Sequence, residues 1–416
     1  MNMYDRGTPV YLDNNASTPV DPRVVEGMTW ALERIYGNPS GRAHSFASEA
    51  SDRVEEGRER VARLINASPE EIVFASGATE SCNLAIKGVA AKCDRKSHFV
   101  TGLTEHEAVR EPCAVLERQG FRVTLLQPDR YGRVSAEQVE AAITPHTVLV
   151  SIMAANNVIG SLNPCEEIGR VVKKSEALFH CDATQAIGKV PVDVDAMNVD
   201  LLSMSAHKFY GPKGMGALYV RGGAKSGVLS ALIHGGGQEG GLRSGTLNVP
   251  GIVGMGIACE VAGDRLSEES LRLKRLRDRL QEALMRRIPG SSLNGHPDHR
   301  LPNTLNMTFP DIVATELIPR VPEIAVSVGS ACSSETHEPH YVFRAIGVLD
   351  EHAAGSVRFS LGRFTTEEEI DYCIKAVASA VERLQTRAAA IERIQGPRAR
   401  ARVRRECPPG CCEHLD

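Results

Sequence analysis

The sequence predicts an α/β fold, with a large domain built on a mainly parallel sheet flanked by helices and a smaller α+β C-terminal domain. Three observations predict it. The chain has 416 residues, enough for two cores. From about residue 70, short β-rich runs alternate with helical patterns, as crossover connections between parallel strands require. After a glycine-rich stretch at 234–245 the texture changes to long helical patterns.

The strand runs are 71–75 (EIVFA), 98–101, 121–126, 147–153, 177–181, 199–204 and 217–220. Helical patterns at 107–119, 135–143 and 165–176 lie between them, which argues for a sheet covered on both faces. The turn Gly211-Pro212-Lys213-Gly214 reads as a tight reversal before the last run. Helical patterns follow at 252–262 and 267–287. A second α+β region comes after 303–309, with a strand at 357–361 and a helix from 366 to about 395. The large domain is read as 20–262, and the smaller one as 263–395 joined by the N-terminal residues 1–19. Residues 396–416 stand apart: Gly396-Pro397 breaks the helix, 398–405 is basic, and the end reads ECPPGCCEHLD, the composition of a flexible tail.

Hydrophobic residues make up 42% and charged residues 24%, the balance of a soluble globular protein. The net charge of −4 gives no basic field, so direct nucleic-acid binding is not expected. The longest apolar runs, such as 147–155, fall far short of the roughly 20 residues of a membrane span. The N-terminus lacks a signal-peptide pattern, so a cytoplasmic protein is expected. There are 11 cysteines. Cys82, Cys113, Cys165, Cys181, Cys259 and Cys373 lie in apolar or helical patterns and read as buried free thiols.

Six short segments carry chemistry. Lys208, in Ser205-Ala206-His207-Lys208, follows a strand run, where ligands sit in open α/β sheets. Shielding from water lowers a lysine pKa and frees the amine for imine chemistry, while Ser205 and His207 can donate to a phosphate. Asp182, after another strand, suits a pyridinium nitrogen or a helix cap. Ser76-Gly77-Ala78-Thr79-Glu80 is a strand, a small-residue turn and a helix start: a phosphate cradle or an ordinary capping box. His106 can stack on a flat cofactor and move protons, or cap a helix. Arg358, inside a strand, needs an anion if buried, either a substrate carboxylate or a structural ion pair. Cys332, in Ser330-Ala331-Cys332-Ser333-Ser334, has small polar neighbours and reads as an accessible loop thiol.

Taken together in this order, these segments resemble the cysteine desulfurases of the NifS/IscS type, within the class V aminotransferase family of fold-type-I pyridoxal-phosphate enzymes. The resemblance runs from Tyr11-Leu12-Asp13-Asn14-Asn15-Ala16 to the helix after Gly362-Arg363-Phe364. It includes Tyr36-Gly37-Asn38-Pro39-Ser40, Ala155-Asn156-Asn157, Gly235-Gly236-Gly237-Gln238-Glu239 and Arg243-Ser244-Gly245-Thr246. It implies pyridoxal 5'-phosphate as cofactor, carried as an imine on Lys208. It implies that Asp182 pairs with the pyridine nitrogen, Gln185 bonds the ring hydroxyl and His106 stacks on the ring. Ala78, Thr79, Ser205 and His207 would hold the phosphate, with Thr246 reaching in from the other subunit of a homodimer. Asn157 and Arg358 would bind the carboxylate of L-cysteine. Cys332 would take the sulfur as a persulfide, leaving L-alanine, and pass it to an acceptor protein for iron–sulfur cluster assembly or nucleic-acid thiolation. Its segment resembles the group with an extended catalytic loop. A selenocysteine lyase, another enzyme of the same fold, or a non-catalytic cofactor-binding scaffold are the rival readings.

The chain departs from the family at two places. Val158 stands where glutamate commonly follows the two asparagines. The tail carries Cys407, Cys411, Cys412 and His414 in a spacing that matches no standard zinc pattern, so no metal is expected.

Overall fold

The computed structural model describes residues 9–328 and 341–395, with side chains as far as 388. In chain order its strands are β1 (Val10–Tyr11), β2 (Ile72–Ala75), β3 (His98–Gly102) and β4 (Arg122–Leu126). Then come β5 (Thr147–Ser151), β6 (Leu178–Asp182), β7 (Leu201–Ser205) and β8 (Gly216–Val220). The last four are β9 (Ser292–Asn294), β10 (Thr304–Thr308), β11 (Ile324–Ala325) and β12 (Ser356–Ser360).

Seven strands form one sheet in the order β2-β8-β7-β6-β5-β3-β4. The run β7-β6-β5-β3-β4 is parallel throughout, and β2 shares its direction; β8 alone is reversed, antiparallel to both its neighbours. The chain therefore places the carboxyl ends of β2, β3, β5, β6 and β7 along one rim. Both faces are covered. Helix Ala78–Ala90 and helix Glu107–Arg118 pack an apolar layer on one face. Helices Pro22–Arg34, Ser45–Leu64 and Cys165–Val172 pack on the other. Covered on both faces, β2, β6, β7 and β8 are buried along nearly their whole length rather than on alternate residues.

The free side of β2 is closed by an ion pair instead of another strand. Arg58 donates to the Ile72 carbonyl at 2.6 Å, and Glu239 accepts from the Phe74 amide at 2.7 Å. The two side chains are themselves paired at 2.8 Å and buried. This satisfies edge groups that would otherwise template further pairing, and it ties the glycine-rich stretch to the sheet.

A second core is built on β12-β10-β9, antiparallel, with helix Glu367–Gln395 and the later turns of helix Val249–Arg287. The N-terminal segment joins this core: β1 pairs in parallel with β11, Asp13 bridges Ser360, and Leu12 is wholly buried there. The two helical patterns expected at 252–262 and 267–287 are one 39-residue helix, Val249–Arg287. Gly263 reads as a break, but no proline or cap accompanies it, and each half has its own core to bury. Val253 and Met255 face the large core, and Leu276 and Leu280 the second. Arg363 clamps the junction, pairing with Asp21 at 2.7 Å and Glu269 at 2.8 Å, all three buried. No described helix is long and apolar enough to cross a membrane.

Candidate active site

The strand ends of the large sheet and β12 surround a cavity of about 460 Å³. Its lining contains Ala78, Thr79, His106, Asn157, Asp182, Gln185, Ser205, His207, Lys208 and Arg358. These come from segments up to 280 residues apart, and the sheet topology brings them together. Thr246 does not line this cavity and is exposed. Cys332 and the tail residues Cys407, Cys411, Cys412 and His414 lie outside the described residues. All six cysteines expected to be buried free thiols are so.

Lys208 ends a short 3-10 turn directly after β7. Its ammonium donates to the carbonyls of Asn15 and Ala16, at 2.7 and 2.8 Å. Asp182 is the last residue of β6 and is buried; its carboxylate accepts from the Thr184 amide at 3.0 Å. It thus closes a turn and lines the cavity at once. His106 also does both. It is the N-cap of helix Glu107–Arg118, with Nδ1 accepting from the Ala108 amide at 3.1 Å. An accepting Nδ1 places the proton of the neutral ring on Nε2.

Helix Ala78–Ala90 starts at the cavity with Gly77 as N-cap and no side-chain cap. The Glu80 carboxylate reaches back to the Ser76 amide at 2.7 Å and pairs with Arg243 at 3.0 Å, so it does not cover the amides of Ala78 and Thr79. Gly216 makes room for this turn, since a Cβ there would sit 2.6 Å from Gly77 Cα.

Burial sets the protonation of the surrounding groups. His207 is lowered to about 4 by burial, with Lys208, Lys213 and Lys189 pushing the same way, so it is neutral at pH 7. His180, bridging Ser151 and Ser203 at 2.8 and 2.9 Å beneath the cavity, is lowered to about 4 by burial, against the pull of Asp182. Burial raises Glu105 well above the carboxylate range although the Met153 amide donates to it at 2.7 Å.

Arg358 is buried in β12. It pairs with Asp13 at 2.7 Å and donates to the Asn157 carbonyl at 2.9 Å. The structural ion pair is therefore present, and the guanidinium lines the cavity as well. Val158 is wholly buried among Ile159, Val342, Phe343 and Ile346. Where the family commonly has a carboxylate, this chain has an apolar anchor for the helix Tyr341–Ala345.

Sequence reasoning missed several lining residues. Asn15, Ser17, Thr184 and Lys213 all face the cavity. Asn15 acts through its carbonyl, which accepts from both Lys208 and Gln185, and a backbone contact leaves no mark on residue type. Lys213 sits in a turn whose shape was legible but whose direction was not.

The cavity suits a flat, anionic ligand. Asn157 Oδ1 and Thr184 Oγ1 are buried at its wall with no partner among the described residues, which a bound polar group would supply. The uncapped helix start leaves amide donors of the kind that hold an anion. A strand-end lysine facing a strand-end carboxylate across such a cavity defines a pyridoxal-phosphate-dependent enzyme of fold type I. The chain belongs to the class-V aminotransferase family, whose model matches residues 10–373, and within that family to the cysteine desulfurases. It is 52% identical to the cysteine desulfurase IscS of Anaeromyxobacter sp. (strain K) over 379 residues, covering 91% of this chain and 93% of the relative. A solved NifS-like protein is 42% identical with a TM-score of 0.84, covering 90% of this chain and all of that one. A structure titled SspA in complex with cysteine is 42% identical with a TM-score of 0.77, covering 86% of this chain and all of that one.

Proposed function

We propose that the protein takes sulfur from L-cysteine, releases L-alanine, and holds the sulfur as a persulfide on Cys332 for transfer to an acceptor protein. The observation that carries this reading is the spacing of Cys332 from the cavity. Ser327 exchanges backbone hydrogen bonds with Arg358, which lines it. Cys332 is five residues further on, so chain length alone keeps its Cα within about 18 Å of that anchor. The cysteine-bound relative supports the substrate.

Bound pyridoxal phosphate would supply an electron sink at the substrate α-carbon. Lys208 would hold it, with Asp182 at the ring nitrogen, Gln185 at the ring hydroxyl and His106 against the ring face. Ala78, Thr79, Ser205 and His207 would hold the phosphate. His207, neutral at pH 7, donates without adding a charge. Lys208 Nζ is the base that removes the α-proton, and Arg358 with Asn157 orients the substrate carboxylate. The Cys332 thiolate then attacks the substrate sulfur. An S–S bond forms, the C–S bond breaks with its electron pair left on carbon, and a proton completes alanine.

A homodimer in which Thr246 completes the partner's phosphate site fits its exposure outside its own cavity. Cytoplasmic residence and delivery of sulfur to iron–sulfur assembly or nucleic-acid thiolation complete the reading. It also divides the chain into a large domain at 20–262, a small one from 1–19 and 263–395, and a tail at 396–416. Purified Cys332→Ala is expected to bind pyridoxal phosphate normally yet release no alanine from L-cysteine under turnover. Wild-type alanine output from that variant would exclude the persulfide route.

A further inference from the structure

Behind the cavity wall lies a cation that the chemistry above does not use. Lys189 is 6% exposed and follows Gln185 by four residues. Its Nζ donates to the Gln185 backbone carbonyl at 3.1 Å and to Gln185 Oε1 at 3.0 Å. The other half of that amide, Nε2, donates to the Asn15 carbonyl at 3.0 Å, the same oxygen that accepts from Lys208. The Lys189 carbonyl accepts a hydrogen bond from Ser270 on helix Val249–Arg287, which fixes its backbone.

We propose that Lys189 is a positioning residue of the cofactor site: it orients the Gln185 amide toward the cavity and sets the positive field around Lys208. This deepens the proposed function and rests on it. The orientation follows from donor chemistry. An ammonium has three donors and no acceptor, so it admits only the oxygen of the Gln185 amide and turns the N–H₂ toward Asn15 and the cavity. The field follows from placement. Lys189 repels Lys208 and Arg358, and Glu269 partly offsets this. Burial lowers the lysine to about 7, with Lys208 and Arg358 acting the same way, so its charge is sensitive to what the cavity holds. An anionic ligand in the cavity favours the charged form.

A cation beside Lys208 disfavours protonation of the Lys208 nitrogen, so its loss moves any titration of that nitrogen upward. The test compares wild type, Lys189→Met and Lys189→Arg as pyridoxal-phosphate holoproteins. It reads the pH midpoint of the near-visible absorption change, with no substrate present. Lys189→Met is expected to keep the band and raise the midpoint by about half to one unit, while Lys189→Arg, which restores donor and charge, stays near wild type. Lys189→Gln, neutral but polar, gives the same reading should the methionine variant fail to fold. An unchanged midpoint in a folded neutral variant overturns the inference. A wild-type protein that forms no band overturns the function on which it rests, and the two failures are thus distinct.

Discussion

Gly216 is the position where a single methyl group should act on cofactor binding alone. It begins β8, opposite Ala75 of β2 and Ser205 of β7. A Cβ there would lie 2.6 Å from Gly77 Cα, 2.6 Å from the Met204 carbonyl oxygen and 2.8 Å from the Gly77 carbonyl carbon. All three are backbone atoms, and unstrained contacts begin near 3.5 Å, so something must move by about 0.9 Å. Met204 is held in the ladder between two paired strands, whereas Gly77 lies in a turn outside any ladder. The turn gives way, and the amides of Ala78 and Thr79 move with it. Hydrogen bonds tolerate only a few tenths of an ångström, so one or two charge-assisted bonds to a phosphate would be lost. At about 1.5–3 kcal/mol each, this weakens pyridoxal-phosphate binding by about 1.5–6 kcal/mol, or at least roughly tenfold. Titration of Gly216→Ala apoprotein with pyridoxal phosphate, followed by absorbance, reads this directly. Gly120→Ala is the control: its φ of +94° strains any side chain, nothing lies within 4 Å, and the site is remote. That variant loses a little stability and no affinity. Binding by Gly216→Ala within threefold of wild type would refute the packing argument.

Two further predictions concern buried charge. His180 is lowered to about 4 by burial, so between pH 6.5 and 4 the unfolded chain takes up a proton that the folded chain refuses. Its contribution to stability is complete above pH 6.5 and declines by about 1.4 kcal/mol per unit as pH falls through that window. Urea unfolding at pH 7 and pH 5 should therefore show wild type losing about 2 kcal/mol more than His180→Gln; an equal loss in both would mean that the imidazole is not held neutral. Arg363→Met strands the buried carboxylate of Glu269, while Asp21 keeps its pair with Arg23 at 2.9 Å, and should cost about 3–5 kcal/mol in the same assay. Adding Glu269→Gln should recover more than half of it, and no recovery would assign the loss to packing instead.

The parallel sheet was legible because its strands are short β-rich runs that alternate with helical patterns and end in small or polar turns, and Asp182 and Lys208 stand at such ends. The reversal of β8 was legible too, in the tight turn Gly211-Pro212-Lys213-Gly214 before it: ten residues separate β7 from β8, too few for the crossover that a parallel pair needs. Other features leave no local trace. Arg58 and Glu239 are 181 positions apart, and nothing near either foretells that they close an edge. Asn15 contributes a carbonyl, which every residue has. His106 and Asp182 each carried two readings, a cap and a site residue. Each makes its local backbone contact and also lines the cavity, because a side chain that finishes a strand end is also the one that faces the rim.

The 39-residue helix has a mechanical consequence. At 1.5 Å per residue it is a rod about 58 Å long, seated in the large core at one end and the second core at the other. Swinging Arg358 away from Lys208 by rotating one core against the other would require bending that rod near Gly263, rupturing its hydrogen bonds, and unclasping Arg363 from Glu269 on the same helix. The distance between the amine and the guanidinium is in effect a ruler built into the scaffold. The molecule can measure its substrate against a fixed gauge.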